Sequence, residues 1–192
     1  MAIPRRVVLD ACVLYPPSLR DLLLTLAALD AYDVAWSEQI LNELERNVLA
    51  DHPDINPDRF RSHTIAAMRN AFPNATTATG PSDKSELRGV HRDDRHVAAT
   101  ALAANACAII TINTRHFPTS ALAPLRIAVI TPGALITELN ATEPELIDHA
   151  LTSLAERWIN PPRSVDEIVT LLRIHPTMRA AINAIRARHH HR

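Results

Sequence analysis

DDRHVAATALAANACAIITIN, residues 93–113, passes from an alanine-rich run straight into Ala108-Ile109-Ile110-Thr111-Ile112. Ala and Leu are strong helix formers, so the first part predicts a helix opened by Asp93-Asp94 and running to about Ala106. The second part is short, β-branched and without polar alternation. That is the pattern of a strand buried on both faces of a parallel sheet.

Working outward, the alternation repeats. Val7-Val8-Leu9 predicts another buried strand, ending at Asp10. Tyr15-Pro16-Pro17 breaks the chain, and Ser18 can cap a helix from Leu19 to about Ala31. Val34-Ala35-Trp36 predicts a strand, and Ser37 caps a helix from Glu38 to about Ala50. Asn56-Pro57 pairs an N-cap with proline at the first helical position, opening a helix to about Ala71. Residues 73–90, with Pro73, Asn74, Gly80 and Pro81, predict a loop with a short strand near Ala75 to Thr77. Arg126 to Ile130 predicts a last strand, and Thr131-Pro132 starts a helix to about Asn140. Beyond residue 141 the pattern is helical only: 144–158, 165–174 and 177–188, separated by Pro161-Pro162 and His175-Pro176. The expected architecture is α/β, three layers with a central parallel sheet flanked by helices over residues 1–140, plus a C-terminal helical extension over 141–192.

Composition narrows the function. Of 192 residues 47% are apolar but only 4% aromatic, so Ala, Leu and Ile fill the core of an ordinary globular protein. Three glycines are too few for a Gly-rich phosphate cradle. A net charge of −1 and a pI of 6.8 give no basic nucleic-acid footprint, so any such contact needs a local arginine patch or a metal. Cys12 and Cys107 form no CxxC pair and are expected to be buried apolar residues. The opening MAIPRRVVLDAC holds too short an apolar run for a signal peptide or membrane span, so a cytoplasmic protein is expected. The closing His189-His190-His191-Arg192 can bind metal adventitiously and carries no functional weight.

The candidate chemistry is acidic. In an open α/β sheet, functional groups gather at the carboxyl ends of strands. Asp10 and Asn113 stand at two such ends, although a turn or N-cap role would equally explain Asp10. Asp94 heads a helical stripe that continues through Ala98, Ala101 and Asn105, a small and apolar face. An acid there needs a partner, since an unpaired buried charge is costly. A helix cap is the alternative, but Asp93 is available for that job. Glu43 and Glu45 flank the stripe Ile40, Leu41, Leu44 and Val48 on opposite sides, and spacing does not choose between them. His91, His96 and His116 form no HExxH or tight zinc spacing, and His96 reads as a surface or packing residue. Hard oxygen ligands therefore dominate, and these select magnesium or manganese.

These residues also carry a family resemblance. VVLDACVLYPPSLRDLLLTLA resembles the opening of PIN domains, WSEQILNELERNV their second motif, and HRDDRHVAATALAANACAIITINTRHFP the third and fourth. Residues 5 to 133 together resemble the bacterial toxin-like, VapC-like ribonucleases. The resemblance implies a PIN-like fold and a Mg2+- or Mn2+-dependent endoribonuclease, the toxin of a type II toxin–antitoxin pair. It implies Asp10, Glu43 and Asp94 as catalytic metal ligands with Asn113 as a supporting one. Arg95 and Arg115 flank the motifs as candidate substrate phosphate contacts. An RNA substrate, a cognate antitoxin protein and a homodimer follow from the same resemblance. The chain departs from the family at Asn113 and His116, positions often acidic, which puts a second metal in question. The rival expectation is therefore a catalytically weak or inactive PIN module that binds RNA or a protein partner. A structure-specific DNA nuclease is a third, disfavoured by modest length and the lack of a basic helical clamp.

Overall fold

The computed structural model describes residues 5–78, 80, 85–159 and 161–190; Pro81 of the predicted loop and the last two residues of the histidine-rich tail lie outside the described residues. Four strands, β1 (Arg6–Leu9), β2 (Asp33–Ala35), β3 (Ala108–Ile110) and β4 (Ala128–Ile130), form one parallel sheet in the order β2-β1-β3-β4. The sheet is buried on both faces: Val7, Val8, Leu9, Ala108, Ile109 and Ile110 are fully inaccessible. This explains their unbroken apolar runs. The central register pairs Val8 with Ile109 and Leu9 with Ile110. The chain leaves β1 toward one edge and enters β4 from β3 toward the other. The carboxyl ends of β1 and β3 therefore open on the crevice where an α/β sheet changes direction.

Helices α1 (Ala11–Leu14), α2 (Pro17–Ala28), α3 (Glu38–Asp51), α4 (Pro57–Phe60), α5 (Ala66–Ala71) and α6 (Arg95–Ala103) flank β1, β2 and β3, with a π-helical stretch joining α4 to α5. The expected caps hold at Ser37, whose Oγ accepts from Ile40 N–H, and at Asn56, whose Oδ1 accepts from Arg59 N–H. The expected cap at Ser18 does not: α2 begins at Pro17, with Pro16 at the N-cap position. Proline pre-sets the first helical φ, so the helix starts two residues earlier than serine chemistry alone implied.

Other boundaries also move. The helix expected to reach Ala106 ends at Ala103, because Asn105 turns left-handed (φ 51°). Ala106 N–H then bonds Ala101 O at 2.9 Å, and Asn105 N–H bonds Leu102 O at 3.1 Å. This is a Schellman closure with asparagine in glycine's usual place. The last strand starts at Ala128 rather than Arg126. Arg126 itself is left-handed (φ 58°) and closes the turn after α7 (Thr119–Leu122). The short strand expected near Ala75 to Thr77 is a single bridge between Trp36 and Thr76. Both cysteines are free, but Cys107 is exposed and Cys12 half-buried, against the expected burial. Cys107 precedes β3 at the rim of the sheet, where its thiol donates to Arg6 O.

Helices α8 (Pro132–Thr142), α9 (Pro144–Arg157), α10 (Val165–Ile174) and α11 (Arg179–His190) complete the described chain. α9 lies on α2, where Trp158 Nε1–H donates to Asp21 Oδ2 at 3.1 Å. α11 lies on α8, and the guanidinium of Arg188 clamps Asp148 and Asn140. Hydrogen bonds from Arg188, aided by His189, hold the Asp148 carboxyl at about 2, against an ordinary 3.8. A folded pKa below the unfolded value gives stability above the unfolded value that is lost as pH falls toward the folded one. The C-terminal helices should therefore loosen between about pH 4 and pH 2, by at most about 2 kcal/mol. Proteolysis of α11 across that window reads this out. Asp148→Asn should flatten the profile and show the loss already at pH 7.

Candidate active site

Asp10 follows β1 directly and occupies the N-cap position of α1, but its carboxylate caps nothing. Instead Oδ2 accepts from Thr111 Oγ1 (2.6 Å) and from the Cys12 thiol (3.1 Å). Thr111 is the residue after β3, so this bond crosses the crevice between β1 and β3. Among the described residues Oδ1 has no hydrogen-bond partner. Asp10 is only 3% exposed. Burial raises its pKa most, the charges of Glu43 and Asp94 raise it further, and the bonds from Thr111 and Cys12 oppose the shift. Three separate segments thus bring carboxylates within repelling distance of one another. Burial, then the charge of Asp10, push the Cys12 thiol up to about 12, so Cys12 stays a neutral donor and not a nucleophile.

The structure separates Glu43 from Glu45. Glu45 turns away to Arg61 at 2.7 Å. Glu43 faces inward, with Oε2 3.1 Å from Nε2 of His96, near but out of line for a hydrogen bond. His96, expected at the surface or in packing, is buried at 5% exposure, and its Nδ1–H donates to Asp93 O at 2.9 Å. Burial is the largest single influence and works against its charged form, but Glu43, the Asp93 carbonyl and the charge of Asp10 together raise the pKa. His96 therefore supports Glu43. The signal for this was its place two residues past Asp94, on the same helix start.

Asp94 occupies the N-cap position of α6 and makes no cap bond. Nor does Asp93, whose side chain is exposed. Asp94 Oδ2 accepts from His91 Nδ1 (3.1 Å) and His116 Nδ1 (3.0 Å). Asn113 reaches this region through its backbone N–H, which donates to Thr111 Oγ1 at 3.0 Å. Thr111, not Asn113, is thus the strand-end side chain that touches Asp10. Its place inside the β-branched run Ala108 to Ile112 gives it no polar signal in the sequence.

Of the two arginines expected at phosphates, Arg95 bonds the carbonyls of Val90 and Arg88, bracing the loop before α6. Arg115 is exposed. A groove of 380 Å³ beside Glu43 is lined instead by Arg46, Arg92, Gln39, Asp93 and His96.

Three carboxylates are the oxygen chemistry a hard divalent cation takes, but as the side chains stand their ligand atoms do not all lie within 4.8 Å of one another. Asp10 offers Oδ1 from a buried carboxylate that two neighbouring carboxylates repel, and a cation among them would remove that repulsion. Asp10, Glu43 and Asp94 would hold it. A metal held there would lower the pKa of bound water and neutralise phosphate charge.

The chain is similar to a curated protein of Mycobacterium tuberculosis named "Putative ribonuclease VapC50", with 31% identity over 93 residues. That alignment takes in 47% of this chain and 55% of the relative, so the likeness spans about half of each. No family model and no solved structure matches the chain. Among the described residues no helix is long and apolar enough to cross a membrane.

Proposed function

We propose that this chain is a divalent-metal-dependent endoribonuclease of the VapC-like PIN type, with Mg2+ or Mn2+ held by Asp10, Glu43 and Asp94. The observation that carries this reading is the buried Asp10 carboxylate, raised in pKa by burial and by two other carboxylates brought in from α3 and the start of α6. The likeness to a protein named a ribonuclease points the same way.

Each residue has a physical task. Thr111 and Cys12 hold Oδ2 of Asp10 and so aim Oδ1. His96 fixes Glu43. Arg46 and Arg92 in the adjoining groove meet the backbone phosphates of a single-stranded segment. Asn113 orients water in support of the ligand set, and Arg115 adds an exposed phosphate contact. A homodimer, a cytoplasmic location and an inhibitory antitoxin partner belong to the same reading, as does a division into a nuclease domain (1–140) and a helical extension (141–192).

Glu43→Gln is the test, because Glu43 is partly exposed and its loss leaves the core untouched. Cleavage of single-stranded RNA in Mg2+ or Mn2+ should fall by about 100-fold or more, with single-stranded DNA cut poorly by the wild type. RNA cleavage undiminished in the variant would reject the site. Salt-sensitive RNA binding without cleavage by the wild type would favour the non-catalytic module.

A further inference from the structure

We propose that His91, His116 and Asp94 form a binding site for a nitrogen-preferring divalent transition metal, zinc foremost. The site lies beside the oxygen-ligand set and shares Asp94 with it. Each residue offers one donor atom, and the three atoms lie within 4.8 Å of one another. Both imidazoles present Nδ1 to a single oxygen, Oδ2 of Asp94, at 3.1 and 3.0 Å.

Those separations suit a metal. Imidazole nitrogen and carboxylate oxygen both bind zinc at about 2.0–2.2 Å, so two such ligands at tetrahedral to right angles stand about 2.9–3.4 Å apart. The aspartate–histidine distances already fall in that range. The rings are also held in place. They stack with centroids 4.5 Å apart and planes 23° from parallel. The loops that carry them are tied by a backbone bond from His91 N–H to His116 O at 2.9 Å. Asp94 N–H bonds His91 O at 3.0 Å in the same turn.

Proton balance is simple. Each neutral imidazole moves its proton from Nδ1 to Nε2, and Nδ1 then gives its lone pair to the metal. Both side chains are partly open to water (50% and 26% exposed), so Nε2–H is solvated. Two nitrogens and one oxygen prefer zinc, cobalt or nickel to magnesium. Three protein ligands leave a fourth position for water. Asp94 Oδ1 takes no part in either histidine contact and is left for the carboxylate set. Only that sharing rests on the nuclease reading; the metal site stands without it.

The spacing hid this site. His91 and Asp94 are one turn apart, but His116 arrives from 22 residues later, after β3. It fills the position where the resembling family often has an acid.

The experiment counts Zn2+ bound to the full chain by competition with a chromophoric chelator and records the visible d–d absorption of added Co2+. The histidine-rich tail is neutralised in one arm by His189→Gln, His190→Gln and His191→Gln. That arm should keep one tight zinc and the cobalt spectrum of mixed nitrogen–oxygen ligation. His91→Ala and His116→Ala, alone or together, should weaken that zinc by at least about 100-fold, since even outer-shell partners are worth about 10–100-fold. His91 is half-exposed, so His91→Ala keeps the core, and an unchanged metal-free melting midpoint verifies this. Asp10→Asn should leave the cobalt spectrum intact even if no RNA cleavage is ever seen, which separates this site from the nuclease reading. No tight zinc in the tail-neutralised arm, or tight zinc surviving the double histidine variant, overturns the proposal.

Discussion

Asp10→Asn is expected to make the metal-free protein more stable while reducing metal-dependent RNA cleavage by about 1,000-fold or more. Both effects come from one cause. Asp10 is buried and repelled by Glu43 and Asp94, which together raise its pKa. Its folded pKa lies above the unfolded one, so ionising it at neutral pH costs stability that is fully present only at acid pH. Asparagine keeps the shape and can still accept from Thr111 Oγ1, but it carries no charge to bury. Removing that charge should raise stability by about 1 kcal/mol without metal, a few degrees in midpoint. The same change deletes the least exposed anionic ligand, so the gain in stability and the loss of cleavage come together. Thermal melts in chelator, paired with cleavage of single-stranded RNA in Mn2+, check both halves. A variant that is less stable without metal, yet still cuts, would contradict the electrostatic account of the site.

The strands at the centre of the sheet were legible because Val7-Val8-Leu9 and Ala108-Ile109-Ile110 are buried on both faces, which leaves an unbroken apolar run. Their ends were less legible. Asn105 and Arg126 close turns in a left-handed conformation that usually falls to glycine, and with so few glycines the chain gives no local warning. Asp10 and Asp94 stood out as candidates, because a carboxylate at a strand end or at the head of an apolar stripe conflicts with its surroundings; Glu43 came only from the family resemblance. Their supporters did not stand out. Thr111 meets Asp10 across 101 residues, and His96 meets Glu43 from another helix. Such pairs depend on tertiary register and leave no periodic trace. Spacing likewise left Glu43 and Glu45 equivalent, whereas in the structure Arg61 draws Glu45 away.

The second large effect is structural. Gly133 sits in the first turn of α8, where a Cβ would lie 1.6 Å from Thr177 O and 2.7 Å from Thr177 C. These are backbone atoms, so no side-chain rotation relieves the overlap. Residues 176–178 would have to lift off α8, and with them Met178, Ala181 and Ile182, all fully buried. Gly133→Ala should therefore destabilise the protein by about 3 kcal/mol, despite alanine's better helix propensity of about 1 kcal/mol. Urea unfolding measures the loss, and early proteolysis should begin in α11. Gly80→Ala is the matched control. Its nearest neighbour would be 3.8 Å away, an ordinary contact, so it should be nearly silent. Equal stability of the two variants would mean that α8 and the 176–178 segment do not approach as closely as described.

The proposed chemistry depends on a cation that relieves repulsion among Asp10, Glu43 and Asp94. Titrating Mn2+ into the wild type and Asp10→Asn, with free Mn2+ followed by electron paramagnetic resonance, reads that directly. The wild type should take up at least one Mn2+ and gain thermal stability with it, whereas Asp10→Asn should bind at least about 10-fold more weakly and gain little. Equal Mn2+ uptake by both, or none by the wild type, would contradict the account.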